Sequence, residues 1–153
     1  MKRFGHIGGN QDVQTFGGYS GSNTVHEHFV LKIPANLDNS KAAPIMCAGI
    51  TMWDPLVHWG ARNGGKTIGI VGIGGLGTIG VKLAKAMGNK VIAISSSDAK
   101  KDMCMEKGAT GFVNHSDPES IKASAGQCDF IINTVAVSHQ CTKFMSLMKN
   151  SGT

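Results

Sequence analysis

Residues Gly72-Ile73-Gly74-Gly75-Leu76-Gly77 satisfy G-x-G-x-x-G, and they lie between an apolar run, Thr67-Ile68-Gly69-Ile70-Val71, and a stretch with apolar residues at helical spacing. Alone the pattern is weak. Between a strand and a helix it becomes the turn of a strand-helix-strand unit. Gly72 allows the tight exit from the strand, Gly74 lets backbone approach a pyrophosphate with no Cβ in the way, and Gly77 lets the helix pack closely on the sheet. Gly75 and Leu76 open the helix, whose unpaired N–H groups and positive dipole end suit an anionic bridge. The chain carries 21 glycines in 153 residues, nine of them between Gly60 and Gly80. That is about twice the usual share of about 7%, and it is concentrated where the backbone has to turn tightly.

The rest of the pattern extends the unit. Leu76, Ile79, Leu83 and Ala86/Met87 recur at helical spacing with Lys82 and Lys85 on the outer side, and Gly88 is a C-terminal cap candidate. Lys90–Ile94, Gly111–Val113 and Asp129–Asn133 read as further strands, and residues 98–107 and 138–149 as helices. Upstream, residues 1–23 read as loop. Thr24–Leu31 alternates as a strand closed by Pro34, and residues 42–59 read as a helix after the cap candidates Asn39 and Ser40, with Pro44 in its first turn and a kink at Pro55. Strand and helix in alternation imply an α/β fold, a Rossmann-type doubly wound parallel sheet.

Composition excludes several classes. A chain of 153 residues is the size of one domain with a sizeable core. The net charge of +5 comes from basic residues scattered along the chain, and aromatics are 6%, so no basic stripe interleaved with aromatics points to nucleic acid. No apolar run approaches the ~20 residues a bilayer needs, so no membrane partner is expected. Cys47, Cys104, Cys128 and Cys141 form no C-x-x-C pair, and the start of the chain lacks a signal-peptide core; both fit a reduced, cytoplasmic protein.

The second strand indicates which dinucleotide the loop would take. A carboxylate about 20 residues after the glycines would hold the ribose 2′-OH of NAD. Here the strand ends Ile94-Ser95-Ser96-Ser97-Asp98-Ala99-Lys100-Lys101. Hydroxyls on Ser95, Ser96 and Ser97 followed by the ammonium of Lys100 suit a 2′-phosphate, which favours NADP(H). The competing reading gives the ribose to Asp98, whose position after the serines is also that of a helix cap.

Several strings then resemble a known family. Gly17-Gly18-Tyr19-Ser20, Val25-x-Glu27-x-Phe29-Val30-x-x-Ile33-Pro34, Ala43-Pro44-Ile45-Met46-Cys47-Ala48-Gly49-Ile50-Thr51, the glycine loop, Lys82-x-Ala84-Lys85-Ala86-Met87-Gly88 and Ile94-Ser95-Ser96-Ser97 occur in one order. Together they resemble the zinc-dependent medium-chain alcohol dehydrogenases, in the cinnamyl alcohol dehydrogenase branch. The resemblance implies hydride transfer between NADP(H) and a small-molecule alcohol or aldehyde, with zinc polarising the substrate oxygen. It implies that Cys47 is a ligand of the catalytic zinc, that Thr51 lies near the nicotinamide, that Ser95, Ser96 and Lys100 hold the 2′-phosphate and that Thr134 lies on the cleft wall. A catalytic zinc needs three protein ligands, and the family takes the others from a domain preceding the residues seen here.

The expected organisation is therefore a remnant of the β-rich catalytic domain over residues 1–35 and an NADP-binding Rossmann domain over 36–153, truncated before its last strands. The fourth strand is expected to be an open edge. Family homodimers form through parts beyond residue 153, so a homodimer is an expectation for the full-length protein only. The alternative is an NADP(H)-binding module, or a truncated product, without catalysis. His26-Glu27-His28 shares a strand face but matches no zinc motif, and His6, His58, His115 and His139 have no partner at useful spacing. Cys104, Cys128, Cys141, Met103, Met105, Met145 and Met148 read as core.

Overall fold

The structure, a computed structural model, describes Tyr19 and residues 21–153. Of the loop expected over residues 1–23, residues 1–18, with His6, Gly17 and Gly18, lie outside the described residues, as does Ser20. The chain divides into two compact units, Met1–Leu37 and Asp38–Thr153. In the first, the described residues are nearly all exposed, and the strand expected over Thr24–Leu31 is replaced by a 3-10 turn at Glu27–Phe29. A strand is stable only when a neighbour takes up its backbone groups, and no strand among the described residues pairs with this one. Local bonds substitute: His28 N donates to His26 Nδ1 at 3.2 Å, and Val30 N to Glu27 O at 3.0 Å.

In the second unit β1 (Thr67–Val71), β2 (Lys90–Ser95), β3 (Gly111–Asn114) and β4 (Phe130–Asn133) form one parallel sheet. Its order is β3-β2-β1-β4, with β1 paired to β2 on one side and to β4 on the other. This is the Rossmann-type arrangement that the sequence implies. Alternate residues of each strand serve opposite faces. Ile68, Ile70, Val91, Ala93 and Phe130 are buried in one core, against Met52 and Leu56 of α2 (Ile50–His58), Val81 and Ala84 of α3 (Gly75–Ala86), and Cys104 of α4 (Lys101–Glu106). Val71, Ile92, Ile94, Val113 and Cys128 form the second core. It is closed by Phe144 and Leu147 from a 3-10 segment, Thr142–Leu147, with Ile121 of α5 (Pro118–Ala123) packed against it. Both faces are covered, as a parallel sheet requires.

Several local expectations are corrected. The buried stripe of α3 is Gly77, Gly80, Val81 and Ala84, while Leu76, Leu83 and Met87 sit partly buried at its margins. Small residues win the sheet side because the helix approaches so closely: a Cβ on Gly77 would collide with the carbonyl oxygen of Gly72, and one on Gly80 with the Met52 methyl. Upstream, Asp38 is the N-cap of α1 (Asn39–Pro44), accepting from Ser40 N at 2.8 Å. Pro44 therefore closes α1, and the irregularity falls in a π turn at Ile45–Gly49; Pro55 is accommodated inside α2. The helix expected over 138–149 is the shorter 3-10 segment, whose three-residue turn brings Phe144 and Leu147 onto one face. Met103, Met105 and Met145 are exposed rather than core.

The edge of β4 is also less open than expected. Cys128 N donates to Leu147 O at 2.8 Å, Lys149 N to Cys128 O at 2.9 Å and Ile131 N to Thr153 O at 2.8 Å. Asp129 anchors this edge, accepting from Thr67 N and from the Lys149 ammonium, each at 2.7 Å. The Lys149 hydrogen bond, then that of Thr67, holds the Asp129 carboxyl below its usual range. At the same amino end of the strands Asn89, 3% exposed, donates to Ala61 O and Ala84 O and accepts from Lys66 N at 2.9, 3.1 and 3.1 Å.

Candidate functional site: a glycine cradle at the carboxyl end of the sheet

In open α/β sheets, ligands bind beyond the carboxyl ends of the strands, where the strand order reverses. Here that point lies between β1 and β4. Val71 ends β1 and Gly72 turns the chain out of it at φ +86°, a conformation that disfavours side chains. Thr134 follows β4 and holds the turn: its N–H donates to Val71 O at 2.9 Å, and its hydroxyl shares one proton between Val71 O and Gly72 O at 2.9 and 2.7 Å. Gly74 caps α3 with extended backbone and no side-chain partner, so the first N–H groups of the helix face outward. Nothing lies within 4 Å of where a Cβ would stand on Gly74 or Gly75. The loop thus has two kinds of glycine: Gly72 and Gly77 are required by the protein's own packing, and Gly74 and Gly75 border open space.

Beside the turn lies a cleft of about 260 Å³. It is lined by Gly72, Ile73, Ser95, Ser96, Lys100, His115, Val135, Val137 and His139. A larger cleft of about 430 Å³ sits at the opposite, amino ends of the strands beside Thr67 and Lys90, away from the glycine loop. Ser95 is buried at the last position of β2, and Ser96 follows it, exposed. Ser97 faces the backbone instead: its hydroxyl accepts from Ala99 N at 3.3 Å and caps the turn at Asp98–Lys100. Asp98 is therefore not the cap; its carboxylate accepts from Asn114 Nδ2 at 2.9 Å. Lys100 reaches back across the loop, its ammonium donating to Ile73 O at 2.9 Å. The ends of β1 and β2 thus bring hydroxyls and a cation to the glycine turn, with the nearby carboxylate already engaged.

His115 enters the cleft because β2 and β3 run in register, with its N–H donating to Ser95 O at 2.8 Å. Its ring lies edge-on to Phe144, 5.4 Å between centroids, and 3.0 Å from the Lys143 ammonium. Burial first, and then the Lys143 charge, push its imidazole below the usual histidine value. Neither His115 nor His139 stands out in the sequence, because parallel register and a loop path bring them to the cleft, and no spacing signals either.

Cys47 and Thr51 lie in the π turn and at the start of α2, both exposed. Thr51 Oγ1 donates to Cys47 O at 2.7 Å, which leaves the hydroxyl's lone pairs free to accept. Among the described residues no group of three His, Cys, Asp or Glu side chains could hold a metal ion. Cys47 is thus one donor where a catalytic zinc needs three, and the residues described do not form a zinc site. No helix among them is long and apolar enough to cross a membrane.

A parallel sheet covered on both faces, with a glycine turn at the carboxyl end of its first strand, defines a Rossmann-type α/β protein. Residues 75–153 match the family model of zinc-binding dehydrogenases. The chain is 46% identical over 139 residues to a probable cinnamyl alcohol dehydrogenase of Populus deltoides, a match that covers 90% of this chain and 39% of that protein. A solved cinnamyl alcohol dehydrogenase of Sorghum bicolor superposes with a TM-score of 0.81 at 40% identity, over 84% of this chain and 36% of that one. The Helicobacter pylori enzyme of the same name, solved with NADP(H), gives a TM-score of 0.67 at 32% identity, over 76% and 32%. The chain belongs to the zinc-binding dehydrogenase family, in its cinnamyl alcohol dehydrogenase branch. It spans about two fifths of the length of the curated relatives it matches.

Proposed function

We propose that this chain is the NADP(H)-binding part of an alcohol dehydrogenase that interconverts small-molecule alcohols and aldehydes. The observation that carries this reading is the end of β2: Ser95, Ser96 and Lys100 border the glycine cleft, and the one neighbouring carboxylate, Asp98, is hydrogen-bonded to Asn114. The outward N–H groups at Gly75 and Leu76 would take the pyrophosphate, as helix N-termini do. The serine hydroxyls and the Lys100 ammonium would take the 2′-phosphate, Lys100 exchanging a neutral carbonyl for a charged oxygen. Thr134 would hold the turn beneath, and Thr51 would accept from the nicotinamide end. When bound, NADP(H) supplies or receives the hydride. Cys47 would contribute one thiolate to a zinc site completed by residues outside this chain.

The test is equilibrium binding of NADPH and NADH to the chain, read by fluorescence. NADPH is expected to bind more tightly, and replacing Ser95 with Asp while replacing Lys100 with Ala should reverse the order. Unchanged NADPH affinity in that double variant overturns the assignment.

A second reading, a dinucleotide-binding module without chemistry, draws on the incomplete donor set around Cys47. Under either reading the 153-residue chain is expected not to reduce cinnamaldehyde with NADPH and added zinc. Zinc-dependent turnover by the pure chain would overturn the claim that the metal site needs residues from elsewhere.

A further inference from the structure

His115 and His139 both line the cleft beside the glycine turn, and their hydrogen bonds leave the two rings in different states. Both nitrogens of His139 are taken. Its Nδ1 lies 2.7 Å from Val137 O, a carbonyl that only accepts, so Nδ1 carries the hydrogen. Its Nε2 then accepts from Asn133 Nδ2 at 2.8 Å, the amide being oriented by Oδ1, which accepts from Val135 N at 3.1 Å. Cys141 Sγ stands 3.7 Å from the same Nε2. His115 is the reverse. The Lys143 ammonium has only hydrogens to offer, so at 3.0 Å it donates to Nδ1, and in the neutral ring the hydrogen sits on Nε2. Burial, and then the Lys143 charge, oppose protonation of this ring. No described residue accepts from its Nε2–H.

The backbone fixes where that donor stands. His115 N donates to Ser95 O at 2.8 Å and Ser116 Oγ to Ser96 O at 3.1 Å, so residue 115 is tied on both sides to the serines that end β2. Packing of the ring edge-on to Phe144 limits its movement. A half-buried N–H without a protein acceptor, in one cleft with two hydroxyls and the Lys100 ammonium, is a site that lacks only its anion.

We propose that His115 is a specificity-determining residue for the 2′-phosphate of NADP(H), its neutral ring donating Nε2–H to a phosphate oxygen beside Ser95, Ser96 and Lys100. The proposal rests on the NADP(H) reading of the cleft and adds to it a donor from the end of β3. A hydrogen bond to a charged oxygen is worth more than one to a hydroxyl, so the ring favours NADP(H) over NAD(H) without a further positive charge.

Dissociation constants of NADPH and NADH are measured for the full chain and for His115→Leu, which removes the donor. The variant is expected to weaken NADPH binding at least about tenfold and to leave NADH nearly unchanged. Equal losses for the two cofactors would mark a packing role and overturn the proposal, as would unchanged NADPH affinity. If the unaltered chain shows no preference for NADPH, the cofactor reading fails and this proposal with it; a preference that survives His115→Leu overturns this proposal alone. Should the variant fail to fold, nitrogen NMR of the unaltered chain decides. His115 is expected to carry its hydrogen on Nε2, and that signal to shift with adenosine 2′,5′-bisphosphate but not with adenosine 5′-phosphate. A hydrogen on Nδ1, or the same response to both nucleotides, overturns the proposal.

Discussion

Gly74 and Gly77 stand three residues apart in one motif and are predicted to respond differently to the same added methyl. On Gly77 the methyl would meet the Gly72 carbonyl, backbone that the Thr134 hydroxyl pins in place. Gly77→Ala is expected to cost about 3 kcal/mol of stability by overpacking, seen as a lower urea midpoint. On Gly74 the methyl meets nothing, so Gly74→Ala should leave stability within about 0.5 kcal/mol while weakening NADPH binding. A Gly74→Ala chain that binds NADPH normally would sink the cradle assignment without touching the fold. Asn89 is the corresponding polar case. Its side chain serves three backbone groups from a 3%-exposed position, so Asn89→Ala is expected to destabilise by about 3 kcal/mol. A change in midpoint within error would show those groups finding water instead.

What could be read from the sequence depends on how local the cause is. The unit β1-turn-α3-β2 was legible because a short apolar run, a glycine motif and a helical period fall in consecutive residues. α5 was missed although Asp117 caps it, accepting from Glu119 N at 3.1 Å, and Pro118 sits in its first turn. Six residues with no buried side chain carry no apolar period to read. Thr24–Leu31 shows the reverse error, an alternation with no paired strand among the described residues to justify it. The capping role of Ser97, the reach of Lys100 to Ile73 and the meeting of His139 with Cys141 depend on loop paths, which residue spacing does not encode.

At the β4 edge the structure makes a pH prediction. The carboxyl of Asp129 sits below its ordinary value of 3.8 in the folded chain. The unfolded state therefore binds its proton first as pH falls. The stability Asp129 contributes is complete above about pH 4 to 5 and disappears as pH drops through the lower folded value. Asp129→Asn is expected to weaken the chain at pH 7 and to flatten the acid side of its urea-midpoint profile. A variant profile parallel to that of the unaltered chain down to pH 2 would contradict this.

At the scale of the molecule, one exposed stretch of the second unit is apolar. Met46, Ile50 and Trp53 are 49%, 57% and 40% exposed, at helical spacing through the π turn and α2. Exposed apolar side chains grouped on one helix face mark contact surfaces, whereas single scattered ones do not. The chain is expected to enhance the fluorescence of an apolar dye at neutral pH, and Ile50→Lys to reduce that signal without lowering stability. Dye binding that ignores the substitution would place the surface elsewhere.

The position of β1 also has a consequence for how the chain is made. β1 is central, but its two neighbours are synthesised at different times: Lys90 pairs with Thr67, and Phe130 with Ile68. Growing from its amino end at about 5–20 residues per second, a ribosome needs about 3–12 s to add the sixty or so residues between Ile68 and Phe130. Through that interval β1 can pair only with β2, and its other edge stands bare to whatever the cell presents. Of the four strands described, β4 is therefore the last delivered and the one that covers the bare edge of β1, and ribosomal pausing before Phe130 would lengthen the vulnerable period.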